Sequence, residues 1–454
     1  MRYGSSKQWV SPVAANPEFN VAPIRWALCC VLILFYIFRS VTASASTDEF
    51  NNRITLTENK GSYALGLHLA ILEDPSEGLT IGDVSSSAYA TKFEPSQKAT
   101  PSFGFNPSAY WTRIEIVQKA DREKGWMLEF GYTPMRSVDV YTRTQGGQWH
   151  HQRGGSGVPL DERPYAHHKH VFELNLPSEK VTELFIRVDG DGSKTLPLHL
   201  YRPDAFTHAS IREITVLSLY AGIIIALFCY NFFIFYSIRE PAYLFYVIFL
   251  AAFLMITMSI RGVSQILLVP DNPELAVRLI PFSIGMAAIF GCLFTMAFLN
   301  TRTNLHRLHW LLRAIMLWGI IASLLPWIVS YRVSVVASTA LAMSFSVALF
   351  TIACVAVSRG IHVARYYLLA WCLMLFGTVL NVLRLLGVLP TNLITEYSFI
   401  WGSAAEAILL SVALAARMRL MKEEKEAAQQ LALENQQKAL DNLHLMDEIK
   451  DEFL

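Results

Sequence analysis

The hydrophobic residues of this chain follow two patterns, and the change lies near residue 210. Beyond that point, seven apolar runs of roughly 20 residues succeed one another, each about long enough to cross a bilayer as a helix. We predict spans at residues 214–238, 242–260, 279–299, 310–329, 333–357, 366–389 and 397–418. Residues 212–418 are therefore predicted to form a seven-helix transmembrane domain.

Residues 46–207 show a different pattern, in which short alternating or β-branched runs are separated by Gly, Pro, Asn and Asp. The clearest runs are residues 111–117, 127–130, 137–141, 171–176, 183–188 and 196–201. About eight such strands in one domain are typical of a two-sheet sandwich, and we predict one of jelly-roll type. None of the six cysteines lies in this domain, so its stability must come from a hydrophobic core.

The two ends of the chain carry further signals. Residues 1–45 combine a polar, positively charged start, an apolar run at residues 26–38 and the small residues Ala43 and Ala45. This order predicts a secretory signal cleaved after Ala45, with an uncleaved anchor as the alternative because Arg39 interrupts the final part. Lys and Arg are more frequent in the loops after the first, third and fifth spans and after the seventh. This bias predicts an exported β-domain and a cytoplasmic C-terminus.

Residues 419–454 are rich in Glu, Lys, Gln, Ala and Leu and contain no Gly or Pro, which predicts a helix. A heptad pattern places mainly apolar residues on one side of this helix. It includes Asn435, a residue type that fixes the register of two paired helices, and it shifts by four residues after that position. The predicted seam consists of Met421, Ala428, Leu431, Asn435, Ala439, Met446, Ile449 and Phe453. We predict a parallel coiled coil in a homodimer, and a single solvated helix is the alternative because Glu424 and Lys438 interrupt the seam.

The composition of the chain limits the classes of protein to which it can belong. Hydrophobic residues make up 53% of the chain and the net charge is +1, so the protein belongs among lipid-embedded proteins and has no charge excess that would recruit nucleic acid. No Cys or His spacing typical of a metal site occurs, and we predict no cofactor.

Two sets of motifs resemble a known family. In the β-domain they are Leu65-Gly-Leu-His-Leu69, Phe93-Glu-Pro95, Phe103-Gly-Phe105, Ala109-Tyr-Trp-Thr-Arg113, Leu128-Glu-Phe-Gly-Tyr132 and Val138-Asp-Val-Tyr141. In the membrane part they are Tyr230-Asn231, Arg239-Glu-Pro-Ala-Tyr243, Phe298-Leu-Asn-Thr301, Ala364-Arg-Tyr-Tyr-Leu-Leu-Ala-Trp371, Leu383-Arg-Leu-Leu-Gly387 and Gly402-Ser403. In this order they resemble the bacterial seven-transmembrane receptors with diverse intracellular signalling modules.

The resemblance implies a receptor in the bacterial inner membrane that binds a small-molecule ligand, with carbohydrates as one class. Residues 447–454, Asp-Glu-Ile-Lys-Asp-Glu-Phe-Leu, look like the opening of a histidine-kinase dimerisation helix. We therefore expect the chain to be the sensory half of a sensor histidine kinase that signals to a response regulator in a two-component phosphorelay. No catalytic residue is assigned within the chain.

Other interpretations remain open at this point. The same receptor module attached to a diguanylate cyclase or another output fits the same residues. A transporter is less favoured, because internal repeats and broken spans are absent from the pattern.

Three residues of one predicted strand are candidates for ligand binding. Tyr110 and Trp111 offer aromatic faces for a sugar ring, and Arg113 offers a guanidinium for a carboxylate. The alternative is that Trp111 belongs to the core of the sandwich. Since Arg113 lies on the same face as Trp111, a solvated Arg113 would indicate that both are exposed.

Two further groups in the β-domain carry chemistry of their own. One is a histidine cluster suited to pH sensing or zinc, although solvated loop histidines are the simpler interpretation. Its members are His150, His151, His167, His168 and His170. The other is Glu73 with Asp74, which is either a calcium site or a turn before Pro75.

Four polar residues lie inside predicted spans, where a polar group is costly unless it faces the bundle and finds a partner. They are Asn231, Asn381, Arg384 and Glu406. Because the sixth and seventh spans are joined by a short loop, we predict that Arg384 or Asn381 holds Glu406 in a contact that differs between signalling states. A static pair is the alternative.

Overall fold

The computed structural model describes residues 52–119, 125–144, 146–385, 389 and 392–452. The predicted signal segment, and Phe453 of the predicted seam, lie outside these residues. The described chain begins with a β-domain and continues into a helical bundle that ends in one long helix.

The β-domain contains eleven strands within the described ranges. They are β1 (Arg53–Leu56), β2 (Ser62–Ala64), β3 (Ala70–Asp74), β4 (Glu94–Pro95), β5 (Ala109–Gln118), β6 (Trp126–Phe130), β7 (Ser137–Thr144), β8 (His150–Gly154), β9 (His170–Leu174), β10 (Val181–Asp189) and β11 (Leu198–Tyr201). Two short helices, α1 (Ile81–Val84) and α2 (Ser87–Ala90), lie between β3 and β4. The predicted β-domain is confirmed, and each run singled out in the sequence overlaps a strand.

The strands form two sheets that share one core. The larger sheet has the order β4-β3-β5-β10-β7-β8, with β1 parallel to β5, and the smaller has the order β2-β11-β6-β9. Ile114 and Leu184 of the larger sheet pack with Leu128 and Phe130 of the smaller one. Because side chains alternate along a strand, the next residues of β5 and β10 face the other way. The jelly-roll connection stays a prediction.

The outer face of the larger sheet is itself partly covered. Val84 of α1 packs with Leu72, Trp111 and Phe185 in a second, smaller core. A capping box between Thr80 and Asp83 holds the start of α1. This layer decides which residues of the sheet reach solvent.

Within the described ranges, seven helices are long and apolar enough to cross a membrane. The remaining helices are α3 (Pro203–Ile238), α4 (Pro241–Ile260), α5 (Val263–Leu268), α6 (Pro273–Phe298), α7 (Thr301–Asn304), α8 (His306–Leu324), α9 (Tyr331–Ser358), α10 (Ala364–Leu385), α11 (Leu393–Glu396) and α12 (Ser398–Glu452). The spans, first to seventh, are α3, α4, α6, α8, α9, α10 and α12. The prediction of seven spans is confirmed.

Two of the spanning helices extend well beyond the predicted span, and the seventh does so by continuing into the predicted C-terminal helix. The first begins at Pro203, immediately after β11, and its 36 residues extend for about 54 Å at 1.5 Å per residue. Its first turns therefore lie against the β-domain. The seventh, α12, runs for 55 residues without interruption and passes from the bundle into an exposed stalk. Apolar residues of the stalk such as Leu431 and Met446 are exposed.

Candidate functional site

The β-domain meets the bundle through a buried ion cluster centred on Lys169. Lys169 Nζ lies 3.0 Å from a carboxylate oxygen of Glu129 in β6 and 2.5 Å from one of Glu213 in the first span. Glu213 also pairs with Arg261, at the outer end of the second span, at 3.4 Å. These four residues join the smaller sheet to two spans.

Burial and the neighbouring carboxylates shift the pKa of Lys169 in opposite directions. Burial favours the neutral amine and by itself would lower its pKa, but the carboxylates of Glu129 and Glu213 raise the pKa above the ordinary value for lysine. Lys169 therefore stays charged. Removing it would take the cation from Glu129 and leave Glu213 with Arg261 alone, which is costly at a buried position.

Three histidines of the predicted cluster lie in the same junction and are buried. His167 Nε2 lies 2.6 Å from Ser210 Oγ of the first span, and His168 Nδ1 lies 3.0 Å from the carbonyl oxygen of Arg261. His170 Nε2 lies 2.9 Å from the carbonyl oxygen of Thr133. The expectation of solvated histidines is wrong for these three, because the loop that carries them packs against the first two spans.

Burial lowers the pKa of all three imidazoles, to about 3 for His167 and for His170. The neighbouring cations act in the same direction, with Lys169 near His167 and His168 and Arg163 near His170. The three rings are therefore neutral near neutral pH.

Two further contacts close the junction. Arg163 Nη2 donates to Gln265 Oε1 in α5 at 2.6 Å, and the hydroxyl of Thr133 donates to the carbonyl oxygen of Ile260. Gly262, at φ +74°, lies so close to His168 that a Cβ atom would collide with the His168 carbonyl oxygen. Only glycine fits this position, both for its backbone angle and for the space.

His150 and His151 lie elsewhere, on the edge strand β8, and both are exposed. The ring of His151 stacks on Tyr141 at 4.4 Å, and its Nε2 lies 2.9 Å from Asp139 Oδ1. In the part of the chain that the structure describes, no group of three or more His, Cys, Asp or Glu side chains is arranged to hold a metal ion.

Glu73 and Asp74 are the last residues of β3, and Asp74 begins the turn at Pro75, as the simpler interpretation predicted. Asp74 accepts hydrogen bonds from the backbone amides of Ser76 and Leu79, and Glu73 accepts one from the hydroxyl of Ser108 at 2.6 Å. As successive strand residues, the two point to opposite faces of the sheet.

The candidate ligand residues of β5 do not form one exposed face. Tyr110 faces the core between the sheets, where Phe103 stacks on it at 4.2 Å. Trp111 is 1% exposed in the second core, and its ring stacks on Tyr141 at 5.7 Å. Arg113 is partly exposed and pairs with Glu183 at 3.3 Å. Trp111 therefore lies in a core, as the alternative interpretation expected, and the partly exposed Arg113 does not indicate an exposed Trp111, because the α1 layer covers Trp111 and not Arg113.

The predicted contact of Glu406 with Arg384 or Asn381 is also not formed. Arg384 Nη2 donates to Asn381 Oδ1 on its own helix at 3.2 Å, and the structure records no salt bridge of Glu406 within the described residues. Glu406 is buried in the same part of the bundle as Tyr220, Tyr246 and Tyr367, and its Oε1 has no hydrogen-bond partner among the described residues. A short loop makes two spans neighbours but does not determine which faces meet.

The seventh span is instead held by the first and the second. Asn231 Nδ2 donates to Ser411 Oγ at 3.0 Å, which joins the first span to the seventh. Tyr246 of the second span donates to the carbonyl oxygen of Ala407. At the end of the bundle away from the β-domain, Glu240 pairs with Arg417 at 3.7 Å. The sequence indicated Asn231 but not its partner.

The junction residues Lys169 and Glu213 were missed by sequence reasoning. Their only local signal was a carboxylate one residue before an apolar run. A single charge beside a span is common, so this signal does not identify a site without the position of its partner.

Comparison with known families agrees with this architecture. A family model described as 7TM diverse intracellular signalling matches residues 213–417, and a model described as 7TMR-DISM extracellular 2 matches residues 66–202. The comparison with curated proteins gives no match. Together the two family models cover the bundle and most of the β-domain. The chain is therefore a multi-pass membrane protein that belongs to the seven-transmembrane receptors with diverse intracellular signalling modules.

Proposed function

We propose that this sensory receptor binds a small-molecule ligand, with carbohydrates as one class, in its β-domain and passes the change through the spans to a cytoplasmic stalk. The observation that carries the proposal is the continuous set of contacts from Glu129 through Lys169 and Glu213 into the first two spans. From there Asn231 and Tyr246 contact the seventh span. A ligand shifts such a system only as far as it binds its two states with different affinity.

The seventh span is suited to deliver the signal because α12 has no break between the bundle and the stalk. A rotation or displacement of its outer part therefore reaches the stalk as a rigid-body movement. In a homodimer the exposed apolar residues of the stalk, including Leu431, would pack against those of the second copy.

For the output, the proposal is a histidine kinase of a two-component phosphorelay in the bacterial inner membrane, with a response regulator as its partner. The support is the likeness of residues 447–454 to the opening of a dimerisation helix. The excess of Lys and Arg after the seventh span supports a cytoplasmic stalk.

The test uses the full chain joined in register, after Leu454, to the dimerisation and catalytic half of a histidine kinase. One alanine inserted after Lys422 turns the following helix by about 100°, whereas seven inserted residues return it to nearly the same face. We expect the single insertion to change autophosphorylation and the seven-residue insertion to leave it close to that of the parent fusion. Equal effects of the two insertions would refute transmission through the orientation of α12.

A further inference from the structure

A polar cavity of about 410 Å³ lies where the β-domain approaches the outer end of the fifth span. Arginines from both sides line it: Arg136, Arg153 and Arg187 from the β-domain and Arg332 from the second residue of α9. Its volume falls within the usual range of small-molecule sites, but its walls are polar where most such sites are apolar.

Two of the four guanidinium groups are already held by the protein. Arg187 Nη2 donates to the carbonyl oxygen of Glu77 at 3.0 Å and lies 3.4 Å from Asp189 Oδ2. Arg136 lies 3.5 Å from Asp191 Oδ2. Arg187 is largely buried and held by its contacts, whereas Arg136 is 68% exposed in a long ion pair, and each guanidinium has further donors.

The other two are available for a ligand. Arg153 is 65% exposed, and its one ion-pair contact is a distant 3.9 Å from Asp139. For Arg332 the structure records no salt bridge to any described residue. The N-terminus of the fifth span also lies here, and its dipole adds positive potential.

The balance of charge around the cavity is positive. The carboxylates that line it are Glu77, Asp189 and Asp191. Below them Lys194, fully buried, donates from Nζ to the carbonyl oxygen of Gly190 and lies 3.9 Å from Asp189. Four arginines therefore face three carboxylates in the lining, a net charge of +1, while Lys194 and Asp139 lie outside the lining and offset one another.

We infer that this cavity binds a small oxyanion, a phosphate- or carboxylate-bearing group, between Arg153 of the β-domain and Arg332 of the fifth span. Planar guanidinium groups hold both kinds of anion through paired hydrogen bonds, and Arg153 and Arg332, which have no close carboxylate partner among the described residues, favour an anionic group. The anion comes either from a soluble molecule or from the headgroup of an anionic lipid, since Arg332 lies at the membrane surface.

The site would also give the receptor a second path by which a change in the β-domain reaches the spans. This consequence rests on the proposed function. An anion that contacts both sides ties the β-domain to the fifth span, whereas the Lys169 cluster joins it to the first two spans. Binding itself does not depend on signalling, so the two are tested separately.

The experiment uses the full chain in nanodiscs of phosphatidylcholine, with thermal unfolding recorded against rising inorganic phosphate or citrate. Both anions are expected to raise the unfolding temperature by mass action. Arg153→Gln combined with Arg332→Gln should weaken the binding about 100-fold, because two charged contacts are lost. If the double variant does not fold, Arg332→Gln alone gives the same test, with a smaller expected loss of affinity.

The matched control removes two charges from the outer surface without touching the cavity, as Arg212→Gln combined with Arg278→Gln. It should bind both anions as the unaltered chain does. Stabilisation by nanodiscs that contain phosphatidylglycerol, lost in Arg332→Gln, would identify a lipid headgroup as the source. No response to either anion or to phosphatidylglycerol, or equal binding by the cavity variant and the control, would overturn the inference.

Signalling separates this inference from the proposed function. A chain that binds citrate in the cavity but whose kinase fusion does not respond to it would keep the site and refute its part in the receptor. A fusion that responds to another ligand, although no anion binds the cavity, would support the proposed receptor function and refute the anion site.

Discussion

Glu406 is a carboxyl group buried in the bundle with one oxygen that has no hydrogen-bond partner among the described residues. Tyrosines lie in the same part of the bundle, and the nearest predicted cation, Arg384, bonds to its own helix. A carboxyl group in such a place costs stability that the protein does not recover through an ion pair. This makes Glu406 a candidate for a role other than stability.

We expect Glu406→Gln to stabilise the chain, because an amide of the same shape carries no charge and costs less to bury than a carboxylate. The gain should be about 1 kcal/mol, or about 2–4 °C in unfolding temperature. Thermal unfolding in detergent measures it. Glu240→Gln is the control: it removes a carboxylate that has a cation, Arg417, and should not stabilise. A lower unfolding temperature for Glu406→Gln would contradict the prediction, and unchanged signalling by this variant would count against a switch.

The buried histidines make stability depend on pH. The pKa of His167 is lowered to about 3 in the folded chain, whereas a histidine in an unfolded chain titrates near about 6.5. Protons therefore bind the unfolded chain first. The stabilising contribution is complete above about pH 6.5 and is lost as the pH falls from there towards about 3.

From this we expect His167→Gln to flatten the decline in unfolding temperature between pH 7 and pH 5. Each unit of pH below the unfolded pKa costs about 1.4 kcal/mol for one such histidine. His168, His170 and the Lys169 cluster are the same in both proteins, so the difference between them isolates His167. His150→Gln, at an exposed position, should follow the unaltered chain at every pH. Parallel curves for His167→Gln and the unaltered chain would show that His167 does not supply the dependence.

At the scale of elements, the sixth and seventh spans approach closely through a pair of glycines. A Cβ at Gly377 would lie 3.1 Å from the Cα of Gly402 and would collide with the carbonyl oxygen of Ser398. Small residues allow two membrane helices such close contact. This packing brings α10 against the helix that leads to the stalk.

Gly377→Ala should therefore push the two helices apart and destabilise the bundle by about 1–3 kcal/mol. Gly222→Ala provides the comparison, because a Cβ at Gly222 of the first span meets no atom within 4 Å. That variant should be neutral or slightly stabilising, since alanine favours a helix over glycine. Thermal unfolding of both variants measures the difference in stability. Equal unfolding temperatures would show that the two helices accommodate the methyl group at Gly377 without a loss of stability.

Elements were the features that the sequence predicted best, with one informative exception. Every predicted strand and span is present, because the period of the apolar residues in a run shows which of its faces is buried and so which element it forms. The outer start of the first span was placed at residue 214, but the helix begins at Pro203. Its first turns contain polar residues such as His208 and Arg212, which an apolar run does not include.

For the whole molecule, the proposed homodimer gives a direct test on the stalk. Leu431 lies in the predicted seam, whereas Leu433 lies two positions further round the helix, and both are exposed in one copy. With the native cysteines replaced, Leu431→Cys should form disulfide-linked dimers in membranes under mild oxidation. Leu433→Cys should not, since a residue outside the seam is held too far from its copy for a disulfide. Equal cross-linking at the two positions would refute the seam.

The sequence by itself determined that the protein has a β-domain, seven spans, a helical stalk and membership of this receptor family. Each of these features depends on residues close together in the chain, where hydrophobic period and local motifs are sufficient. Tertiary structure alone decided that Lys169 meets Glu129 and Glu213, that Trp111 is covered, and that Glu406 lies away from Arg384. The partner of a polar group depends on how distant segments pack, and no local pattern in the chain carries that information.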